Sequence, residues 1–153
     1  MAGRGLSETT GRERVNRLEG LFIALVFAHL IVVLVHTVAH LALQILPGPA
    51  DTAFILAVIL IAPVTTLPIL RFNRPLASGL LAVAMAAAFA YGVQGHFLAP
   101  GPDNVSMGPA PWTPVFVATG AILGGLELVS VIVAAAVFRR AVRTPSESPE
   151  QSG

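Results

Sequence analysis

The sequence predicts an all-α, polytopic membrane protein, a four-helix bundle whose transmembrane helices run up, down, up and down. Apolar residues make up 55% of the 153 residues, and only 11% are charged, against roughly 25% in soluble domains. A soluble chain of this length has too little interior to bury so much apolar surface. The chain also contains four apolar runs, each long enough to cross ~30 Å of hydrocarbon.

Apolar runs, separated by polar and proline-rich segments, give the predicted organisation of the chain. A polar N-terminal segment, residues 1–19, has a disordered start and leads into a membrane domain at residues 20–138. The spans within this domain are predicted at about residues 21–46, 52–72, 76–98 and 113–138. Prolines break up the loop at residues 99–112. Residues 139–153, rich in Pro, Ser and Glu after three arginines, are predicted to be a disordered tail.

The arginines predict the orientation of the spans. All nine basic residues are arginines, and they lie in the N-terminal segment, the second loop and the C-terminal segment. The first and third loops carry only Asp51 and Asp103. Because positive residues collect on the cytoplasmic side of short loops, we expect a multi-pass cell-membrane protein with both termini in the cytoplasm. The loop at residues 99–112 then faces outward.

The composition excludes several kinds of chemistry. The chain has no cysteine, which excludes thiolate metal sites, iron–sulfur clusters and thiol nucleophiles. It has no lysine, so a Schiff-base cofactor has no attachment point. A net charge of +1 leaves no basic face for nucleic acid. With no soluble domain, no nucleophile–base pair and no phosphate-binding motif, the sequence predicts a protein that is not an enzyme.

Histidines carry the strongest chemical signal. His29, His36 and His40 point within about 40° of one another on the first helix and so form one stripe. His36 and His40, one turn apart, could hold a divalent transition metal with a third ligand from elsewhere. His96 lies at a similar depth in the third span and is the candidate for that ligand. His40 and His96 could instead hold a b-type haem between two helices. The alternative is a row of neutral imidazoles that only hydrogen-bond to neighbouring helices.

Glu127 is the second chemical signal. It shares a face of the fourth helix with Gly120 and Gly124, whose small-xxx-small spacing is typical of close helix packing. We therefore expect Glu127 to point into the bundle and to contact His29 or His36. An acid at this depth is either a hydrogen-bonded structural group or a group that carries a proton.

Three functions remain open on the sequence alone. The first is a membrane module for electron transfer or an accessory role that binds haem or a transition metal through His36, His40 and His96. The second is a proton- or ion-coupled transporter subunit that uses Glu127 and the stripe of His29, His36 and His40. The third is a purely structural accessory protein. Because four spans enclose little volume, we expect a homo-oligomer or a larger membrane complex in the lipid bilayer.

The predicted orientation can be tested by cysteine labelling, because the chain has no cysteine of its own. Single cysteines at Ser7, Ser106 and Ser148 should give outside labelling of intact cells at Ser106 alone. A membrane-impermeant maleimide provides the measurement, and permeabilised cells are the control. Labelling of Ser7→Cys or Ser148→Cys from outside would contradict the orientation.

Overall fold

The computed structural model describes residues 3–106, 108 and 110–143, with side chains described from residue 17 onward. The described part is helical apart from its connecting turns. Its elements are helix α1 (Gly3–Ala42), helix α2 (Pro49–Phe54), a π-helical segment (Ile55–Ile61), helix α3 (Ala62–Phe72), helix α4 (Arg74–Val93), a second π-helical segment (Gln94–Leu98) and helix α5 (Thr113–Arg143).

Four helical stretches are long and apolar enough to cross a membrane. They are span 1 (Arg17–Ala42), span 2 (Pro49–Phe72), span 3 (Arg74–Leu98) and span 4 (Thr113–Arg143). Large apolar side chains on their outer faces, such as Ile31, Val83 and Ile132, are more than half exposed. A face of this kind is suited to lipid, which would cover it without any loss of hydrophobic free energy.

The ends of the helices differ from the prediction in three places. Helix α1 begins at Gly3, where a disordered start was expected. Helix α5 continues to Arg143, so residues 139–143 belong to the helix, while residues 144–153 of the predicted tail lie outside the described residues. Span 1 ends at Ala42 and not at residue 46.

The early end of span 1 has a local cause. Gln44 has a φ of 55°, a left-handed conformation that stops an α-helix. The Ile45 N–H then donates to the His40 carbonyl at 3.0 Å, which is the bond that closes many helix ends. This turn folds the backbone of Ile45 back beside His40.

Span 4 lies against both span 1 and span 3, while span 2 packs mainly on span 3 and makes little contact with span 1. The main core is formed by apolar side chains from all four spans, including Phe22, Leu70 and Val137. Alanines of span 3, such as Ala77 and Ala84, are also buried. Small side chains let helix backbones approach closely, and van der Waals packing then holds them together in lipid.

Spans 1 and 3 are joined at their starts by an ion pair. Arg74 Nε lies 2.7 Å from Glu19 Oε1. The later parts of the same two spans meet at histidines. An exposed ion pair contributes about 0–1 kcal/mol, so it directs the helix ends more than it stabilises them.

Gly124→Leu should destabilise the bundle. A Cβ at Gly124 would already lie 3.7 Å from the Phe89 ring, and the rest of a leucine side chain would collide with it. Overpacking of this kind costs about 1–3 kcal/mol. The matched control is Gly125→Leu, because a Cβ there meets nothing within 4 Å. Thermal unfolding in mild detergent should give a lower Tm for Gly124→Leu alone, and equal Tm values would contradict the packing of this face.

Candidate metal centre

Three imidazoles from spans 1 and 3 converge on one point. His36 Nε2 lies 3.2 Å from His40 Nε2 and 3.3 Å from His96 Nε2. The ligand atoms of all three residues lie within 4.8 Å of one another. His36 and His96 are buried, and His40 is partly buried. We call His36, His40 and His96 the histidine cluster; these residues could hold a metal ion.

The local backbone explains how the three side chains meet. His36 and His40 are one α-helical turn apart, so both point to the same face of span 1. His96 lies in the π-helical segment Gln94–Leu98. A π-helical turn inserts an extra residue in the helix and is often found at functional sites. The chain then turns back, and the Val105 N–H donates to the His96 carbonyl at 2.9 Å.

The outer nitrogen of each imidazole has its own hydrogen-bond acceptor. His40 Nδ1 donates to the Ile45 carbonyl at 3.3 Å, and His96 Nδ1 donates to the Asp103 carbonyl at 3.1 Å. His36 Nδ1 lies 2.7 Å from Thr119 Oγ1. The Val115 carbonyl lies 2.7 Å from the same hydroxyl, and we assign the hydroxyl proton to that carbonyl, so that the Thr119 oxygen accepts the Nδ1 proton of His36. A neutral imidazole carries one proton, so all three Nε2 atoms present lone pairs to one another.

Asp103 brings a carboxylate to the same point. Its Oδ1 lies 3.5 Å from His40 Nε2 and 3.3 Å from His96 Nδ1, and it is buried without an aligned hydrogen-bond partner. A Cβ on Gly95 would lie only 3.1 Å from Asp103 Oδ2, so a glycine makes room for this carboxylate. Burial by itself raises the pKa of Asp103, but the neighbouring imidazoles, His96 above all, hold it below its usual range.

Span 4 closes the cluster from the side. The Phe116 ring is stacked on His36 with ring centroids 5.0 Å apart, and it meets the other two imidazoles edge-on at 5.0 and 5.1 Å. One turn further along, a Cβ on Gly120 would lie 3.6 Å from His36 Cε1. This apolar cover keeps water from one side of the histidine cluster, which strengthens electrostatic interactions inside it.

A separate polar pair lies deeper in the bundle. His29 Nε2 is 3.4 Å from Glu127 Oε1, with 0% of the His29 side chain and 6% of the Glu127 side chain exposed. His29 Nδ1 is buried and has no hydrogen-bond partner among the described residues. The structure therefore keeps His29 apart from the histidine cluster, although all three histidines of span 1 share one stripe.

A cavity connects the cluster with this pair. It has a volume of about 500 Å³ and is lined by residues of all four spans. The histidine cluster and Asp103 line one part of it, and Glu127 lines another. Its remaining wall is mostly apolar, with leucines and isoleucines of span 2 such as Leu56 and Ile59.

The structure brings together the three residues that the sequence suggests as metal ligands, and it pairs Glu127 with His29 rather than with His36. Four contributors to the cluster were missed: Asp103, Thr119, Phe116 and the Ile45 carbonyl. Asp103 carried a usable signal, since it is the one acid in the loop that follows His96. The other three carried none, because a hydroxyl, a phenyl ring and a carbonyl are common on apolar helices.

Thr119→Val should weaken metal binding while keeping the shape of the side chain. Without the hydroxyl, His36 loses the side-chain acceptor of its Nδ1 proton, and the neutral ring then favours a proton on Nε2. Loss of such an orienting partner costs about 10–100-fold in metal affinity. Titration with Co²⁺ would measure the change, with Thr119→Ser as the control that retains the hydroxyl. Equal affinities for the valine and serine variants would contradict the assigned tautomer.

Comparisons with known proteins give no assignment for this site. No protein-family model, no curated protein and no solved structure matches the chain. The function is therefore argued from the geometry of the histidine cluster, the Glu127–His29 pair and the cavity that joins them.

Proposed function

We propose that the protein is an integral membrane protein that binds a divalent transition metal ion at the histidine cluster. The observation that carries the proposal is that three Nε2 atoms converge on one point. Each of the three rings is also oriented by a hydrogen bond at its Nδ1. Metal-binding histidines almost always donate their second ring N–H in this way. A row of purely structural imidazoles would instead direct its donors and acceptors at different neighbours.

The spacing of the nitrogens supports an ion of the size of Zn²⁺. Zn–N bonds of about 2.0–2.1 Å in tetrahedral geometry keep the ligand nitrogens about 3.3–3.4 Å apart. The two short Nε2–Nε2 distances in the cluster are 3.2 and 3.3 Å. Three imidazoles also suit Cu²⁺, Ni²⁺ and Fe²⁺, and affinity rises along the first-row series to Cu²⁺.

The position of His36 favours a bare ion over a b-type haem. A haem held by His40 and His96 would place those imidazoles on opposite faces of a flat macrocycle. The His36 ring centroid lies 4.7 Å from that of His40 and 5.0 Å from that of His96. The third imidazole therefore occupies space that the macrocycle would need.

Asp103 supports a binding role over a catalytic one. Its unpartnered Oδ1 lies beside His40 Nε2 and is a suitable fourth ligand. A small shift would complete a three-histidine, one-carboxylate set, whereas catalytic zinc sites keep the fourth position for water or substrate. The carboxylate would also offset one of the two positive charges of the ion.

The membrane orientation predicted from the arginines completes the proposal. With both termini in the cytoplasm and the helices alternating in direction, the histidine cluster and Asp103 lie toward the outer face of the cell membrane. The protein then takes its ion from the outside. We further propose that it acts as a homo-oligomer or within a larger membrane complex, because four spans enclose little volume.

Purified protein should bind one Co²⁺ or Zn²⁺ per chain in mild detergent. Tetrahedral Co²⁺ gives visible d–d absorption bands, so the bands report both binding and geometry. His36→Ala, His40→Ala and His96→Ala should each lower the affinity by more than the ~10–100-fold of an outer partner.

His29→Gln is the matched control, because His29 is the one histidine outside the cluster. It should bind Co²⁺ with the same bands as the unchanged protein. The proposal fails if no metal binds, if His29→Gln loses the ion as fully as the cluster variants, or if protein purified from its host carries haem.

A further inference from the structure

The Glu127–His29 pair is a buried titratable group for which metal binding gives no role. Among the residues whose side chains are described, Glu127 is the only buried acid. It lines the cavity that also reaches the histidine cluster, whereas His29 does not. Glu127 follows Gly120, which contacts the cluster, by seven residues, or about 10 Å along the helix. The pair is therefore close enough for an electrostatic interaction with an ion in the cluster, and the cavity connects Glu127 with the cluster.

The surroundings of the pair indicate how many protons it holds. Leu30 and Leu126, each next in sequence to one member of the pair, pack against the apolar core that contains Phe22. No described group other than Glu127 bonds to His29. A lone negative charge is costly in such a place. The pair avoids it by sharing one proton, either as a neutral acid with a neutral imidazole or as a carboxylate with an imidazolium.

We propose that a divalent ion bound at the histidine cluster displaces this shared proton, so that the protein exchanges a metal ion for a proton. The inference rests on the proposed metal site. Before binding, Asp103 carries one negative charge and the pair carries none. After binding, the two positive charges of the ion are balanced by Asp103 and by Glu127, which has lost the proton to the cavity. The ion exchanges its bound waters for the ligands of the histidine cluster, and the proton passes through the cavity to bulk water.

The other charged and titratable groups that face Glu127 across the cavity do not supply the second negative charge. Asp51 of span 2 lines the cavity but is exposed, so water already compensates its charge. Tyr91 of span 3 is a neutral phenol at ordinary pH. The imidazoles of the cluster are neutral ligands, and Asp103 supplies only the first of the two negative charges.

The size of the effect follows from the separation. With an effective dielectric constant of about 20, a dication about 10 Å away shifts the protonation equilibrium of a carboxylate by roughly 100-fold or more. Metal affinity should then rise about tenfold more per pH unit than the ligands alone would give.

The test is a count of protons released per metal ion bound. Co²⁺ is added to the detergent-purified full chain at pH 7.5 in weak buffer, with a pH indicator for protons and the d–d bands for binding. The unchanged protein should release about one proton more than Glu127→Gln, which keeps a hydrogen-bonding group beside His29 but cannot titrate. Asp51→Asn is the matched control, since it removes a carboxylate from the same cavity, and it should release as many protons as the unchanged protein.

The outcomes separate the two proposals. If Co²⁺ does not bind to the unchanged protein, the metal site itself fails, and the exchange fails with it. If Co²⁺ binds and Glu127→Gln releases as many protons as the unchanged protein, the exchange alone is overturned. If Glu127→Gln does not bind Co²⁺, Glu127→Ala takes its place and should show the same deficit of one proton. Loss of binding in both variants would also overturn the exchange, because the pair would then belong to the metal site or the fold.

Discussion

Lone pairs that face one another repel unless a positive charge lies between them. In the assigned tautomers, His36, His40 and His96 are in this situation, because each ring gives its one proton to an acceptor on the far side from the other two rings. The acceptors are two backbone carbonyls and a hydroxyl, and a carbonyl cannot donate in return. The centre of the cluster is thus a place that could hold a cation, and the acceptors of the three Nδ1 atoms keep the rings in position.

Those acceptors depend on irregular backbone at the ends of helices. The Ile45 carbonyl reaches His40 because Gln44 ends span 1 with a left-handed turn. The Asp103 carbonyl reaches His96 because the loop folds back over a π-helical segment. Regular helix would satisfy these carbonyls internally and leave the imidazoles without partners. The cluster therefore lies where two spans end, next to a loop, and not at the centre of the bundle.

The sequence predicted the spans and the meeting of the histidines, but not the groups that orient them. Helical periodicity was sufficient for His36 and His40, and matching depth was sufficient for His96, because both depend only on the rise and turn of a helix. The end of span 1 was predicted four residues too late, since a glutamine in a left-handed conformation has no strong sequence signal. The positions of Asp103 and Thr119 depend on how the loop after span 3 and the start of span 4 pack against the cluster. Neither spacing nor composition encodes that.

The ion pair at the start of spans 1 and 3 gains a different meaning beside the histidine cluster. Arg74 and Glu19 tie these two helices at one end, and an ion held by His36, His40 and His96 would tie them at the other. Span 4 packs against both of these helices, so it would contact two helices that are linked to each other at both ends. Span 2 contributes no residue to the Arg74–Glu19 ion pair or to the histidine cluster. A bound ion would thus restrict the relative motion of spans 1, 3 and 4. Span 2 would be held mainly by its packing on span 3.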